Sequence, residues 1–414
     1  MMLHGSTYFK GLKLNQISYL SFDIENLDEH NFDHKDLVVL ISNTFRNNDG
    51  KIVKKLFSIK DYPNSVEMVQ EWCRWVKCMD PDVVLGHNII LHDLRIMSLV
   101  SNLNIGRDGS PLIFDEKISK IRKDAQQQYE FKNALVFGRE VICTWMLSIK
   151  YDSARLFPSY GLKSIEKYLG LVDENRIEWD FTKNPVYKTL NNPELWNEFT
   201  KYSIDDADGP LKMVDIMLPS LFYLNQTIPQ TLQSLNITNT GSQINNFLIR
   251  SYLQFGSSIP QSTKITEHVA GGISFAVPGI YRNLYKIDIK SCYPSQILRF
   301  KLYDHKKDPE ANYYKMVKYF TEERFELKRL LKETGDKYYK DRDATAKIFI
   351  NSAYGLTITN YLNFNSPAIG AKITAESRAI IDMALNWASG KGVDYWMRLF
   401  KERVGKLEED DEHE

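Results

Sequence analysis

Asp288-Ile289-Lys290-Ser291-Cys292-Tyr293-Pro294-Ser295 is the stretch on which the fold of this chain turns. The preceding Leu284-Tyr285-Lys286-Ile287 alternates in character and predicts a strand that delivers Asp288 to a buried position. Pro294 and Ser295 break that strand, and Gln296-Ile297-Leu298 opens an apolar run suited to a helix. An acid at a strand end can hold a metal ion, and it can equally cap a helix or form a turn. The partners available elsewhere in the chain separate these uses.

Downstream, fourteen Lys or Arg stand against ten Asp or Glu between Arg299 and Lys347. This is a local basic excess, because over the whole chain 53 Lys plus Arg balance 53 Asp plus Glu. Arg324, Lys328 and Lys332 recur every fourth residue, so one helix face would carry them as a row. Such a row binds phosphates, or it is a solvated face paired with glutamates. Arg342 leads into Lys347-Ile348-Phe349-Ile350-Asn351-Ser352-Ala353-Tyr354-Gly355. There Lys347, Asn351 and Tyr354 fall at i, i+4 and i+7 of one helix, with Gly355 placed to end it.

Upstream lie three acidic clusters. Ile17-Ser18-Tyr19-Leu20-Ser21-Phe22-Asp23-Ile24-Glu25 predicts a strand, and its period of two turns Asp23 and Glu25 to one face, where both can hold a divalent cation. Asp82-Val83-Val84-Leu85-Gly86-His87-Asn88 predicts a short buried strand, followed by a helix opening near Leu91-His92-Asp93, where Asp93 is a cap or a ligand. In Tyr202-Ser203-Ile204-Asp205-Asp206, helical spacing puts Tyr202 and Asp206 on one face, with Asp205 the competing acid. Trp72, Cys73 and Trp75 at helical spacing predict a helix packed on the sheet, and the polar stretch from Arg107 to Gln128 predicts a loop.

A chain of 414 residues accommodates two or three domains, and 43% hydrophobic content with mixed charge is that of a soluble globular protein. Neutrality does not exclude nucleic acid, since an acidic site and basic grooves cancel in the sum. Cys73, Cys78, Cys143 and Cys292 lack paired metal spacing and read as reduced thiols. No apolar run is long enough to span a membrane, and Met1 opens no signal-peptide pattern, so the expected location is cytoplasmic.

Taken together, these stretches resemble the motifs of family B DNA polymerases of phage or viral type. Asp23-x-Glu25, Asn88-x-x-x-His92-Asp93 and Tyr202-x-x-x-Asp206 match the three exonuclease motifs, with His92 where Phe is usual. Ser159-Tyr160-Gly161-Leu162-Lys163-Ser164-Ile165 is similar to the segment before the third motif. The opening octet matches the palm motif Asp-x-x-Ser-Leu-Tyr-Pro-Ser with Cys292 for Leu, and Lys347 to Gly355 matches the fingers motif completely. Val269-Ala270-Gly271-Gly272 keeps the glycines of Tyr-x-Gly-Gly without its Tyr.

The resemblance implies an α/β architecture. A ribonuclease H-like 3′–5′ exonuclease domain covers 1–215, a connector and amino-terminal palm 216–302, helical fingers 303–356, and a partial palm helix with a disordered acidic tail 357–414. It implies two Mg²⁺ or Mn²⁺ ions per active site, about 4 Å apart. Asp23, Glu25, Asp93 and Asp206 would hold one pair, while Tyr202 orients the attacking water and Asn88 meets the substrate. Asp288 and the carbonyl of Ile289 would hold the other pair. Lys347, Arg324 and Lys328 would neutralise the triphosphate, Arg342 support the same helix or phosphate, and Asn351, Tyr354 and Tyr293 contact the nucleotide.

Phosphoryl transfer by two metals needs a second palm carboxylate, which the family supplies from an Asp-Thr-Asp hairpin that this sequence lacks, as it lacks a thumb. A split or interrupted enzyme is expected, with a second subunit carrying both. The partners implied are primer-template DNA, single-stranded 3′ ends, deoxynucleoside triphosphates and a sliding clamp. A free-standing 3′–5′ exonuclease is the alternative.

Overall fold

The structure is a computed structural model that describes residues 3–28, 30–123, 127–172, 176–266, 269–283, 286, 288–289 and 291–411, with side chains described to residue 402. The chain divides into two compact units, Thr7–Thr238, and Asn239–Glu414 with Met1–Ser6.

The first unit is built on a five-stranded sheet. Strands β1 (Tyr19–Asn26), β2 (Val38–Arg46) and β3 (Ile52–Ser58) form an antiparallel meander, and β4 (Val83–Gly86) lies parallel to β1. A further strand, β7 (Glu140–Cys143), extends the sheet parallel to β4, giving the order β3-β2-β1-β4-β7. Three antiparallel strands continued by two parallel ones are the ribonuclease H-like arrangement. The central β1 is covered on both faces, which explains why Tyr19, Leu20, Ser21 and Phe22 are all buried rather than alternating.

On one face lies helix α1 (Ser65–Met79), started by the Asn64 side chain accepting the Glu67 N–H. Its Trp72 is fully buried, lies 5.1 Å from the Phe22 ring, and donates from Nε1 to Asn43 Oδ1 at 2.8 Å. The other face carries the long helix α5 (Pro193–Met217), which follows α2 (Asp93–Val100), α3 (Thr144–Tyr151) and α4 (Leu162–Leu169). Alternate residues of β2 lace α5 down. Ser42 Oγ is 2.7 Å from Ser203 Oγ, Thr44 donates to Asp208, and Arg46 forks onto both oxygens of Asp215 at 2.8 Å. Because Asp23 pairs with Ser42 in register, this lacing sets Tyr202 and Asp206 over the face that carries Asp23 and Glu25.

The segment expected as a loop is instead a hairpin of β5 (Ile113–Arg122) and β6 (Gln128–Leu135). Its strands are mostly exposed, so no apolar alternation marks them, and cross-strand pairs such as Lys120–Glu130 at 2.5 Å lie along it.

The second unit is helical, with no strand among its described residues. Its helices are α6 (Thr240–Gln254), α7 (Cys292–Arg299), α8 (Asn312–Thr334), α9 (Lys337–Asn351), α10 (Ala353–Ile358), α11 (Pro367–Ser389) and α12 (Val393–Asp411). Most of the strand expected before Asp288 (Leu284, Tyr285 and Ile287) lies outside the described residues. Helix α7 begins at Cys292, earlier than expected, because Pro294 sits in the first turn, where a missing N–H costs nothing. Helices α8 and α9 form an antiparallel hairpin about Gly335 (φ +68°), closed by Phe320 on Phe349 at 4.7 Å. The acidic tail expected to be irregular is helical through Asp411, in keeping with its Lys, Leu and Glu content.

Replacing Trp72 with Ala opens a cavity between sheet and helix and leaves Asn43 Oδ1 without its donor. Urea denaturation should show a loss of about 3–5 kcal/mol. A loss below about 1 kcal/mol would mean that this contact does not hold α1 to the sheet.

Candidate functional site

Within the first unit the three acidic clusters converge. Glu25, Asp93 and Asp206 are buried and Asp23 is half-buried. Helix α2 opens at Asp93, whose Oδ1 accepts the Ile24 N–H at 3.1 Å, so its carboxylate is tied to the backbone between Asp23 and Glu25. Burial pushes the Asp23 carboxyl well above the usual range, and the charges of Asp93, Glu25 and Asp206 push it further. Burial likewise raises Glu25, with Asp206 and Asp93 adding to it. Burial lifts Asp93 to about 7, against the pull of the Ile24 N–H.

Tyr202 is buried beside them and hydrogen-bonded to Asp206. Burial, then the charges of Asp206 and Glu25, hold its hydroxyl protonated. Asp205 turns elsewhere and accepts the Ile177 N–H. His92 is exposed at the N-cap of α2, with Nε2 3.0 Å from Asn26 Oδ1. Asn88, in the left-handed region at φ +68°, lines a cleft of about 340 Å³ with His87, Tyr129, Trp145 and Tyr160.

Two cations at this site carried no sequence signal of their own. Arg176 donates from Nη2 to Asp206 Oδ1 at 2.6 Å and from Nη1 to the buried Glu166. Lys163 Nζ lies 4.4 Å from the centre of the Tyr202 ring and draws the Glu25 pKa down. Lys163 falls in the stretch noted as similar to the segment before the third motif; Arg176 falls in none.

Asp23, Glu25, Asp93 and Asp206 form a donor set suited to hard divalent cations. Among the described residues, however, no three acidic, His or Cys side chains close into a ready metal cage.

In the second unit a cavity of about 460 Å³ is lined by Asp288, Ile289, Ser291, Cys292, Tyr293, Pro294, Lys347 and Asn351. Asp288 is exposed, not buried as expected, because it opens onto this cavity. The ring of Tyr293 lies 4.9 Å from that of Tyr354. A Cβ on Gly272 would come within 2.9 Å of the Tyr293 hydroxyl, so that glycine permits the close approach.

Arg324, Lys328 and Arg342 do not line the cavity. Arg324 is buried and pairs with Asp343 at 2.8 Å, Arg342 pairs with Glu323, and Lys328 is exposed. The expected cation row is therefore split, since a helix in a hairpin turns part of that face toward its partner. Lys347 and Asn351 share α9, but Tyr354 sits on α10 and Gly355 lies inside that short helix instead of ending the long one.

The first unit thus sets a carboxylate nest on a mixed five-stranded sheet, and the second is a helical body with a Lys-and-Asp cavity. Residues 8–165 match the exonuclease domain of DNA polymerase family B. The chain is 24% identical to a DNA polymerase of Pyrococcus glycovorans, over 82% of this chain and 47% of the relative. It is 22% identical to DNA polymerase II of Escherichia coli (strain K12), over 82% and 44%. The family B DNA polymerase of Pyrobaculum calidifontis superposes with a TM-score of 0.68 at 18% identity, over 90% of this chain and 51% of that one. The chain spans about half the length of the curated relatives it matches. Together these findings show that the chain is similar to family B DNA polymerases, and over residues 8–165 to their exonuclease domain.

The raised carboxyl pKa values set the pH dependence of the metal-free chain. Asp93 titrates near about 7 when folded and near about 3.9 when unfolded, so in between the folded chain keeps a proton that the unfolded chain releases. The Asp93 contribution to stability therefore falls as pH rises through that window and levels off above it. In a chelator, melting temperature should decline from about pH 4 to about pH 7, and Asp93→Asn should flatten the decline. A melting temperature that rises across the window would contradict the shift.

Proposed function

We propose that the chain is the proofreading and nucleotide-binding part of a family B replicative DNA polymerase. The observation that carries the nuclease half is the convergence of Asp23, Glu25, Asp93 and Asp206 beneath Tyr202. Bound Mg²⁺ or Mn²⁺ would supply hydroxide from water and charge for the departing 3′ oxygen. The four carboxylates would hold the ions, and the protonated Tyr202 hydroxyl would donate a hydrogen bond that orients the attacking water. Asn88 and its cleft would receive the single-stranded 3′ end.

In the second unit Asp288 and the Ile289 carbonyl would hold the polymerase ions. Lys347 would neutralise the triphosphate, Asn351 would meet the nucleotide, Tyr354 would lie under the nascent pair, and Tyr293 would pack beneath the sugar, excluding a 2′-hydroxyl. Arg324 and Arg342 support this by fastening the hairpin that aims Lys347, and Lys328 remains free to meet phosphate from its exposed position. The functional divisions proposed are 1–215, 216–302, 303–356 and 357–414.

Among the described side chains lining the cavity Asp288 is the one carboxylate, which suits an active site completed from elsewhere; the enzyme proposed is a split one, of viral type and working in the host cytoplasm. Its partner subunit would bring the Asp-Thr-Asp hairpin and thumb, and a sliding clamp would tether both to DNA. The same single carboxylate favours, as the second reading, a 3′–5′ exonuclease whose polymerase part only grips DNA.

The purified chain with Mn²⁺ should shorten single-stranded oligonucleotides from the 3′ end without extending a primer. Asp23→Ala with Glu25→Ala should slow digestion by about a thousandfold or more. Digestion unchanged by that pair would contradict the nuclease assignment, and robust extension by this chain alone would contradict the incomplete palm.

A further inference from the structure

The nest holds its own counter-ion. Arg176 is buried with Glu166 and Asp206, its side chain 8% exposed and that of Glu166 1%. Glu166 presses against Gly209 on α5, three residues beyond Asp206, at a point where a Cβ would collide with its carboxylate. The anchor of Arg176 is therefore fixed to the helix that carries Asp206. The other end of the guanidinium takes Asp206 Oδ1 at 2.6 Å, an oxygen that an ion at the nest would need. Its Nε–H is buried without a partner, so this resting place leaves one donor unsatisfied. The positive field also reaches Asp23, drawing its carboxyl down against the neighbouring acids.

We infer that Arg176 is a displaceable counter-ion for the carboxylate nest: it occupies Asp206 while no metal is bound, and yields that oxygen to an entering divalent cation while Glu166 keeps hold of its other end. Arg176 is then a positioning residue. It acts through Asp206, preventing repulsion among the acids from pushing the empty site apart, and it lowers metal affinity by competing. This rests on the nuclease assignment, because it takes the nest to be a metal site.

The test is a Mn²⁺ titration of the full chain at pH 7.5, with free Mn²⁺ read by its paramagnetic resonance signal and no substrate present. Arg176→Met alone strands a buried Glu166 charge, so the informative variant combines Glu166→Gln with Arg176→Met. Removing a competing unit charge a few ångströms from the site should tighten binding about tenfold or more. Arg176→Lys keeps the charge and should stay near the wild-type affinity. The double variant should also melt lower than wild type in chelator and recover most of that difference in Mn²⁺. Binding that is unchanged or weaker in the double variant overturns the inference and leaves the nuclease assignment standing. Wild-type chain that takes up no Mn²⁺ overturns both.

Discussion

Repulsion among four clustered carboxylates, three of them buried and Asp23 half-buried, is the constraint around which the first unit is organised. Asp23, Glu25 and Asp93 cost free energy where they stand: burial raises the pKa of all three, and the charges of neighbouring acids raise Asp23 and Glu25 further. Such an arrangement persists only when the surrounding structure over-determines it. Here that structure is a fully covered β1, the Ile24 N–H that holds Asp93, and the ladder from Ser42, Thr44 and Arg46 that clamps α5 to β2. The sheet and its two faces supply the rigidity that keeps the nest together.

The second unit follows a similar logic with opposite sign. Lys347 reaches the cavity while the neighbouring cations Arg324 and Arg342 are neutralised by Asp343 and Glu323 inside the helical hairpin. Pairing those arginines makes the hairpin stiff, and it leaves Lys347 as the single basic side chain among the described residues lining the cavity beside Asp288. Buried pairs of this kind set geometry more than stability.

Much of this was legible in the sequence because the relevant residues are periodic. Asp23 and Glu25 are two apart on a strand, Tyr202 and Asp206 four apart on a helix, and each spacing translates directly into a shared face. Long-range pairing was not legible. Arg176 meets Asp206 across 30 residues and Glu166 across 10, with no local pattern to announce either contact. The β5–β6 hairpin escaped notice because its strands are mostly exposed, with scattered buried positions such as Ile121, Phe131 and Ala134, so they lack alternation. The assignment of Tyr354 to the helix of Lys347 failed at Ser352, where α9 closes and α10 begins within a residue. Periodicity alone does not report such a break.

The most direct measurement is an anomalous-scattering map of Mn²⁺-soaked crystals of this chain with a single-stranded oligonucleotide bound. Manganese peaks enclosed by Asp23, Glu25, Asp93 and Asp206, with a 3′ terminus beside Tyr202, are the expected result. Manganese bound elsewhere, with those four side chains still turned to Arg176 and to one another in the presence of DNA, would contradict it.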